Sequence, residues 1–540
     1  MGTRFAAPLL PMLLAVTVES LAQAPQMLRD IWPGVCSSVP KDPALMGGQV
    51  FFSAVEQETA YELWRTDGTT AGTQLVKDIN PGDAQSGVVE YHVIDGTLYF
   101  GAIDGVHGME LWKSDGTTAG TVLVKDFDPG PGHGMPNQMT ALNGAIYLAA
   151  YTPNIGMELW RTDGTEAGTS LVKDIYPGSL SSNVSRMQVV NSALFFWAND
   201  GVHGWELWRS DGTEAGTLLV KDIAPGSATD DPGVIHGLDD VAYFAAADAD
   251  HGNELWRSDG TEAGTWMVKD INPGAAPSFI SHLQVVGDRL IFLARTADHG
   301  DELWVSDGTA TGTQLVSDFS PGASSTGIFE SLAANGLYYF FGYASGAAVG
   351  YELYASDGNS TWLVKDIMPG PGASYVGDLT AACGGVLFRA DDGVHGAELW
   401  YTNGTEAGTY LLADIIPGPA TSWPHELADM GDAVFFGMQD PDLGREPWVC
   451  PCAFVGIEEL DELGTLQIAP VPSNGPVSIT LPESSHAWDI SFFDVRGRAV
   501  HRISQAKGFV SLDASHWSHG AYLVVARSKE REVKGRLVVE

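Results

Sequence analysis

The chain has 540 residues, of which 44% are hydrophobic, and a formal net charge of −40 at pH 7. Residues 466–540 carry 9 of the 28 Lys and Arg residues but only 7 of the 68 Asp and Glu residues, so the negative charge lies in the long N-terminal part. A surface this acidic repels nucleic acid and anionic lipid, and it attracts cations and basic partners. We therefore expect no nucleic-acid partner.

The N-terminus has the pattern of a secretory signal. Arg4 precedes an apolar run over residues 5–18, and Ala22 ends a triplet of small and apolar residues. We predict a signal peptide over 1–22, because cleavage two residues later would leave Pro25 at the new N-terminus. No later stretch is long enough to span a bilayer. We expect a secreted or outer cell-surface protein without a transmembrane segment.

A Glu-Leu-Trp-like strand recurs nine times after the signal. Its aromatic residues are Trp64, Trp112, Trp160, Trp208, Trp256, Trp304, Tyr354, Trp400 and Trp448. Successive members are 48 residues apart, except for one step of 50 and one of 46. A period this regular indicates one supersecondary unit copied in series.

Each unit contains four runs of strand-forming residues. In the third unit, residues 139–150 hold two strands joined by Asn143-Gly144, a pair that favours a tight hairpin. The third run lies at 158–164 and the fourth at 169–178, where Pro-Gly ends the strand. No segment has helical periodicity, so the pattern predicts an all-β protein built from four-stranded antiparallel sheets.

The two ends of the array predict a closed ring. The last unit has its first three strands, the third at 446–448, but lacks a fourth strand. An unpaired fourth strand, Leu28–Gly34, follows the signal and can complete that last sheet. We therefore predict a monomeric, closed β-propeller over 25–452. We expect nine blades, with eight as the alternative because most propellers have four to eight.

The residues that recur in every unit are predicted to be scaffold. A Glu precedes each Leu-Trp pair, and an Asp lies in each fourth strand. Paired carboxylates can cleave glycosidic bonds, but a catalytic site occurs once per ring. We expect these carboxylates to satisfy backbone N–H groups or a neighbouring Lys, and the Trp to pack between blades. No catalytic or cofactor-binding motif is present, so we predict no enzymatic activity.

The loops between the second and third strands combine Asp and His in five units. Clustered carboxylates can hold Ca²⁺ and His can bind a transition metal, while ordinary turn chemistry is the alternative. The candidate ligands are Asp104, His107, Asp200, His203, Asp250, His251, Asp298, His299, Asp392 and His395.

The four cysteines indicate a disulfide in an exported protein. Cys383, Cys450 and Cys452 are predicted on one face of two neighbouring blades, and one pairing with Cys383 is possible. Cys36 is expected at the far end of its strand, out of reach of Cys450.

The C-terminal part has a different composition. An acidic linker over 453–465 leads to short alternating runs over 466–540, which predict a small β-sandwich. The landmarks Pro470-Val471-Pro472-Ser473, Phe493-Asp494-Val495-Arg496-Gly497-Arg498 and Gly520-Ala521-Tyr522-Leu523-Val524 resemble the type A sorting domain of the type IX secretion system. The resemblance implies contact with that machinery and passage across the outer membrane, followed by removal of the tail. An accessory binding domain is the alternative.

The repeats resemble the bacterial ELWxxDGT family. The unit over residues 110–117 and 123–130 carries its Glu-Leu-Trp-x-x-Asp-Gly-Thr motif and its Leu-Val-Lys-Asp-Ile-x-Pro-Gly motif, with Phe127 at the Ile position. This family implies no established activity. We predict a surface scaffold that binds a glycan, a surface protein or a divalent cation. The alternatives are a polysaccharide-degrading enzyme with its site in the central channel and a purely structural matrix protein.

Overall fold

The computed structural model describes residues 25–57, 59–82, 84–226, 233–345, 349–452, 466–469, 476–481, 487–493, 499–517, 520–528 and 532–539. The predicted signal peptide over 1–22 and the predicted linker over 453–465 lie outside these residues, as do the landmark residues 470–473 and 494–498.

The N-terminal part forms nine four-stranded antiparallel sheets, numbered here as blades 1 to 9. Blades 1 to 3 comprise β2 (Lys41–Met46), β3 (Gln49–Glu56), β4 (Thr59–Thr66), β5 (Gln74–Lys77); β6 (Val89–Ile94), β7 (Thr97–Ala102), β8 (Glu110–Ser114), β9 (Val122–Lys125); and β10 (Asn137–Leu142), β11 (Ala145–Thr152), β12 (Gly156–Thr162), β13 (Ser170–Lys173). Blades 4 to 6 comprise β14 (Ser185–Val190), β15 (Ala193–Asn199), β16 (Trp205–Ser210), β17 (Leu218–Lys221); β18 (His236–Leu238), β19 (Val241–Ala246), β20 (Glu254–Ser258), β21 (Trp266–Lys269); and β22 (Ser281–Val286), β23 (Arg289–Thr296), β24 (Gly300–Ser306), β25 (Gln314–Leu315). Blades 7 to 9 comprise β26 (Gly327–Ala334), β27 (Leu337–Tyr343), β28 (Glu352–Ser356), β29 (Thr361–Lys365); β30 (Gly377–Ala382), β31 (Gly385–Asp391), β32 (Ala397–Thr402), β33 (Thr409–Ala413); and β34 (His425–Asp429), β35 (Ala433–Asp440), β36 (Gly444–Pro451), β1 (Gln26–Met27).

The first strands of the blades enclose the axis of a closed ring. Each first strand lies beside the first strand of the next blade, and β34 of blade 9 lies beside β2 of blade 1. At this junction the Asp42 N–H donates to Glu426 Oε2 at 3.1 Å, and the rings of Phe52 and Phe435 are 5.0 Å apart. The predicted propeller of nine blades is confirmed.

The N-terminal strand completes blade 9, but it begins earlier than predicted. β1 lies at Gln26–Met27, where Met27 pairs with Trp448 as Leu75 pairs with Trp64 in blade 1. The Leu28 N–H still bonds to the sheet, whereas the Ile31 N–H donates to Glu446 Oε2 at 2.8 Å. The predicted strand at 28–34 is therefore mostly a connection that leaves the sheet, because a side chain takes its backbone N–H groups.

The hydrophobic cores lie between neighbouring blades. Phe51 and Leu63 of blade 1 pack in one cluster with Phe100 and Trp112 of blade 2, and all four are buried. Burial of such large side chains against the next blade is the main term that holds the ring together. The predicted role of the repeated Trp in packing between blades is confirmed.

A cation covers the Trp at most blade junctions. Lys77 Nζ lies 5.5 Å from the Trp112 ring centroid and donates to the Thr121 carbonyl oxygen of the next blade at 2.7 Å. At the seam the cation is Arg29, which lies 5.3 Å from the Trp64 ring and donates to the Thr73 carbonyl oxygen at 3.0 Å. The seam therefore repeats the internal junction with a different cation.

The tail folds as two small sheets that share one core. They consist of β37 (Gln467–Ala469), β38 (Pro476–Thr480), β41 (Phe509–Asp513) in one sheet and β40 (Ala499–Ala506), β39 (Trp488–Phe493), β42 (Gly520–Arg527), β43 (Glu532–Val539) in the other. Val477 of the first sheet and Trp488 and Phe492 of the second are buried in the same cluster. The predicted β-sandwich is confirmed.

We expect Arg29→Ala to destabilise the propeller by about 1–3 kcal/mol, because it removes both the cation over Trp64 and a hydrogen bond that crosses the seam. Lys77→Ala is the matched control, since it removes the same two contacts at an internal junction. Denaturant unfolding monitored by Trp fluorescence measures both variants. A loss of stability in Lys77→Ala alone would show that the seam does not form in solution.

Candidate functional site

A buried glutamate in each blade binds the backbone that leaves the fourth strand. Glu158 accepts the N–H of Ile175 at 2.8 Å through Oε2 and the N–H of Ser182 at 2.9 Å through Oε1. Equivalent residues, which we call the clasp glutamates, are at most 1% exposed: Glu62, Glu110, Glu158, Glu206, Glu254, Glu302, Glu352, Glu398 and Glu446. The predicted scaffold role of this glutamate is confirmed, because a ligand in solvent does not reach these carboxylates.

The clasp glutamates titrate near neutral pH. Burial raises the pKa of Glu398 to about 8 and that of each of the other eight to about 7, although the backbone N–H donors lower it. Desolvation therefore outweighs hydrogen bonding at these sites.

The clasp also fixes the chain at the point where it enters the next first strand. Glu398 Oε1 accepts the N–H of Ser422 at 2.9 Å, and its Oε2 accepts the Ser422 hydroxyl at 2.6 Å. The next residue, Trp423, donates its N–H to the Ala397 carbonyl oxygen at 3.0 Å. The residue at this strand entrance is thus held from both sides.

Three of the predicted Asp–His pairs close their own loops. His107 Nδ1 lies 2.9 Å from Asp104 Oδ2, and Asp104 Oδ1 accepts the backbone N–H of His107. The pairs Asp200–His203 and Asp392–His395 have the same contacts, with Nδ1–Oδ2 distances of 2.7 and 2.6 Å. In blade 2 the hydrogen bond to Asp104 raises the pKa of His107.

The other two predicted pairs differ. His251 Nδ1 contacts Asp248 at 2.8 Å, while Asp250 only supplies its backbone N–H to that carboxylate. His299 Nδ1 lies 3.2 Å from the Thr296 hydroxyl, and Asp298 takes no part in that contact. Asp248 was not predicted, although its position three residues before His251 matches the spacing in the other loops.

The ten predicted metal ligands lie in five different blades, and the structure does not bring them together. Within the described ranges no group of three or more His, Cys, Asp and Glu side chains is arranged to hold a metal ion. A 48-residue period places equivalent loops side by side around a ring, so the geometry favours turn closure over the predicted metal site.

Cys383 and Cys452 form the disulfide, with an S–S distance of 2.06 Å. It joins the turn between β30 and β31 in blade 8 to the end of β36 in blade 9. Cys450 is buried and Cys36 is exposed, and neither is disulfide-bonded. Cys450 is buried in the core between blades 8 and 9, whereas Cys452 lies just past the end of β36, level with the turn that holds Cys383.

A bulge in the first strand of most blades places one residue at the channel wall. This position is 48 residues from its equivalent in the next blade, yet its identity is not repeated. In blade order the residues are Asp42, Glu90, Gln138, Arg186, Val234, His282, Glu330, Asp378 and Glu426. Seven of them have a positive φ between 52° and 58°. The scaffold keeps this backbone geometry, whereas the side chains vary.

Neighbouring bulges are joined by hydrogen bonds that run around the ring. Arg186 N–H donates to Gln138 Oε1 at 2.7 Å, and Asp378 N–H donates to Glu330 Oε2 at 3.1 Å. Glu426 N–H donates to Asp378 Oδ1 at 3.0 Å. The side chains of Gln138, Glu330 and Asp378 are therefore positioned by the backbone of the following blade.

Carboxylates occupy the bulge in five consecutive blades, from blade 7 through the seam to blade 2. We call Glu330, Asp378, Glu426, Asp42 and Glu90 the carboxylate arc. Burial raises the pKa of Glu330 and Glu426, and the charge of Asp378 raises both further. Burial and the charge of Glu90 likewise raise the pKa of Asp42. This side of the channel is strongly acidic.

Four consecutive blades expose an aromatic ring where the chain enters the first strand. We call Phe279, Phe329, Tyr375 and Trp423 the aromatic arc; their exposed fractions are 51, 64, 60 and 42%. Phe279, Tyr375 and Trp423 have φ values of 50°, 50° and 48°, a conformation that is uncommon for bulky residues.

The rings of the aromatic arc are anchored from one side. The Arg295 guanidinium lies 5.0 Å from the Phe279 ring, and the Arg389 guanidinium lies 4.4 Å from the Trp423 ring. Phe329 packs against Tyr351 at 5.2 Å. One face of each of these rings is thus supported while the side chain stays exposed.

A cavity of about 410 Å³ opens beside the arc in blades 4 to 7. Its lining includes Arg186, His236, Ile280, His282 and Ser331. Burial lowers the pKa of His236 and His282, so both are neutral at pH 7 and supply a donor and an acceptor. At the bulges of blades 4 to 6 this wall presents Arg186, Val234 and His282, in place of the carboxylates found in blades 7 to 9.

The channel residues were not predicted from the sequence, because their chemistry is not repeated from unit to unit. Aligning the units on their 48-residue period would have exposed the variable position, since Asp42 and its equivalents differ where the strands around them agree. The bulge that turns this residue to the wall was not visible in the pattern.

Residues 467–540 match the family model of the secretion system C-terminal sorting domain. The predicted type IX sorting domain is confirmed, and the protein is a secreted or outer cell-surface protein. The resemblance of the repeats to the ELWxxDGT family stays a prediction. No curated protein sequence matches the chain. In the part of the chain that the structure describes, no helix has the length and apolarity needed to cross a membrane.

Several solved structures are similar at low identity. PorZ, a surface component of the type IX secretion system of Porphyromonas gingivalis, has 13% identity and a TM-score of 0.33, with 92% of this chain and 75% of that chain covered. A prolyl endopeptidase has 12% identity and a TM-score of 0.36, with 68% and 55% covered. The β-propeller domain of the Trilobed protease from Pyrococcus furiosus has 11% identity and a TM-score of 0.31, with 61% and 97% covered. Likenesses at these TM-scores carry no argument about activity, and the fold stands on the sheet topology described above.

We expect the propeller to lose stability as the pH rises from 5 to 8. The pKa of Glu158 is raised from 4.5 to about 7 in the folded chain, so its contribution is full below pH 4.5 and is lost as the pH rises through 7. The turn aspartates do not oppose this trend, because their pKa values are lowered from 3.8 and they stay ionised above pH 5.

Calorimetry at pH 5 and pH 8 tests this expectation, with Glu158→Gln as the matched variant. Gln keeps a carbonyl oxygen for one N–H donor but cannot titrate. We expect the variant to lose about 1–2 kcal/mol less than the wild type over this range. An identical loss in both proteins would contradict the assignment.

Proposed function

We propose that the exported propeller is a binding protein and that its ligand is a glycan bound at the channel mouth by the aromatic arc. The observation that carries this proposal is the exposure of Phe279, Phe329, Tyr375 and Trp423 in four consecutive blades. Export of the protein through its sorting domain rests on the match over 467–540.

Aromatic rings are exposed near the channel mouth in four consecutive blades. Exposed apolar surface grouped in one region is typical of interaction sites in soluble proteins. The positive φ of Phe279, Tyr375 and Trp423 adds backbone strain, which persists where the surrounding structure enforces it. Here the clasp enforces it, because Glu398 holds Ser422 immediately before Trp423.

Flat, supported rings suit the apolar C–H faces of sugar rings. Binding sites for small or linear ligands combine aromatic surface with a few placed polar groups. The channel wall beside the arc supplies such groups, including His282 and Ser331, whose side chains lie 3.4 Å apart. A hydroxyl-rich ligand thus meets both kinds of surface at one place.

The carboxylates favour binding over catalysis. The clasp glutamates are buried, and Asp378 uses Oδ1 for the Glu426 N–H and Oδ2 for the Arg389 guanidinium. Glu330 accepts two backbone N–H groups, from Asp378 and Leu379. A general acid or base must exchange a proton with the substrate, and these oxygens already accept N–H donors. Their negative charge still acts on a bound ligand. A channel enzyme and a purely structural matrix protein remain the rival functions.

We expect the mature full chain to bind at least one of three hexasaccharides: cellohexaose, N-acetylglucosamine hexamer or glucosamine hexamer. The double variant Tyr375→Ala/Trp423→Ala should bind at least tenfold more weakly, because it removes two stacking surfaces. Isothermal titration calorimetry measures the affinities.

Trp266→Ala is the matched control. Trp266 is 45% exposed and lies under Arg257 at 4.5 Å, but it is on the outer strand of blade 5. Equal weakening by this control would refute the site. Absence of saturable binding to all three sugars would refute glycan binding and favour the matrix role, and shortened products in chromatography would favour the enzyme.

A further inference from the structure

The aromatic arc and the carboxylate arc overlap in blades 7 to 9. In blade 7 the exposed Phe329 is followed directly by Glu330. In blade 9 Trp423 lies three residues before Glu426, whose Oε2 reaches the Asp42 N–H across the seam. Tyr375 and Asp378 have the same spacing in blade 8. A ligand stacked on these rings therefore lies against a row of carboxylates.

The cations near this row are already engaged. Arg389 pairs with Asp378, donates to the Pro424 carbonyl oxygen at 3.0 Å and covers the Trp423 ring. Lys41 Nζ lies 4.8 Å from the Tyr61 ring. Burial lowers the pKa of His425, so this side chain is neutral. Beside the five carboxylates of the arc lie the paired Arg389, Lys41, whose charge partly offsets the burial that raises the pKa of Asp42, and His92, whose Nε2 is 3.6 Å from Glu90 Oε2. Carboxylates outnumber cations along this row.

The bulges of blades 4 to 6 carry Arg186, Val234 and His282 in place of carboxylates. Arg186 lies at the bulge of blade 4, and the neutral His236 and His282 complete that side of the cavity. A positively charged group on a ligand is attracted to the carboxylates of blades 7 to 9. The channel mouth therefore distinguishes one side of a ligand from the other.

We propose, as an inference that rests on the proposed function, that the glycan carries free amino groups. It is a chain of hexosamine units. Its ammonium groups face the carboxylate arc, and its sugar faces stack on the aromatic arc. Ammonium groups supply positive charge to balance the carboxylate arc, and an aromatic face also attracts a cation. The net charge of −40 draws such a chain toward the protein from a distance.

Calorimetry with three hexamers at pH 6 tests the proposal. Glucosamine hexamer should bind at least tenfold more tightly than N-acetylglucosamine hexamer or cellohexaose. This preference should shrink between 50 and 500 mM NaCl, because salt screens exposed charges. If a neutral hexamer binds as tightly as glucosamine hexamer, the inference is wrong and the proposed function stands. If none binds, the proposed function fails as well.

Two variants locate the charge. Glu426→Gln keeps an oxygen for the Asp42 N–H, and Asp42→Asn alters an exposed side chain while its backbone bond remains. Each should reduce the preference for glucosamine hexamer over the N-acetylated hexamer about fivefold or more. Glu166→Gln, whose side chain is 82% exposed in the loop between β12 and β13, is the charge-matched control. An unchanged preference in folded Glu426→Gln and Asp42→Asn would overturn the proposal.

Discussion

The structure depends on a carboxylate buried in each blade. A clasp glutamate such as Glu158 sits on the third strand and takes the backbone N–H groups of the segment that leaves the fourth strand. Those N–H groups have no strand partner, and leaving them unpaired in a dry junction would cost about 1–3 kcal/mol each. The clasp therefore fixes where the chain leaves one blade and where it enters the next.

This constraint separates what repeats from what varies. With Ser422 held by Glu398, the residue after it is directed to the mouth whatever its side chain, and here it is Trp423. The bulge that follows presents Glu426 to the channel wall. In the loops between the second and third strands, by contrast, Asp and His side chains bond to each other and close the loop, as Asp104 and His107 do. Variation within a rigid frame concentrates in the first strands, and the proposed ligand site lies there.

Much of the fold was predictable from the sequence. The 48-residue period, the Asn143-Gly144 type of hairpin and the unpaired segment near residue 28 sufficed to predict nine blades and a seam, because each is a local pattern with one structural solution. The sorting domain was predictable from its landmarks. Strand ends were less predictable. In blade 3 the fourth strand ends at Lys173, before the predicted end at 178, because the N–H of Ile175 donates to Glu158 and not to a neighbouring strand.

The sequence by itself determined the repeated unit, the closure of the ring and the export signal at the C-terminus, because these depend on periodicity and short-range backbone preference. Only the tertiary structure decided that Cys383 bonds to Cys452 and not to Cys450, since that depends on which of the two lies level with the turn of the next blade. It also decided that Asp42, Glu330, Asp378 and Glu426 form one arc. Residues up to 384 positions apart become neighbours there because the ring closes, and no local pattern encodes that proximity.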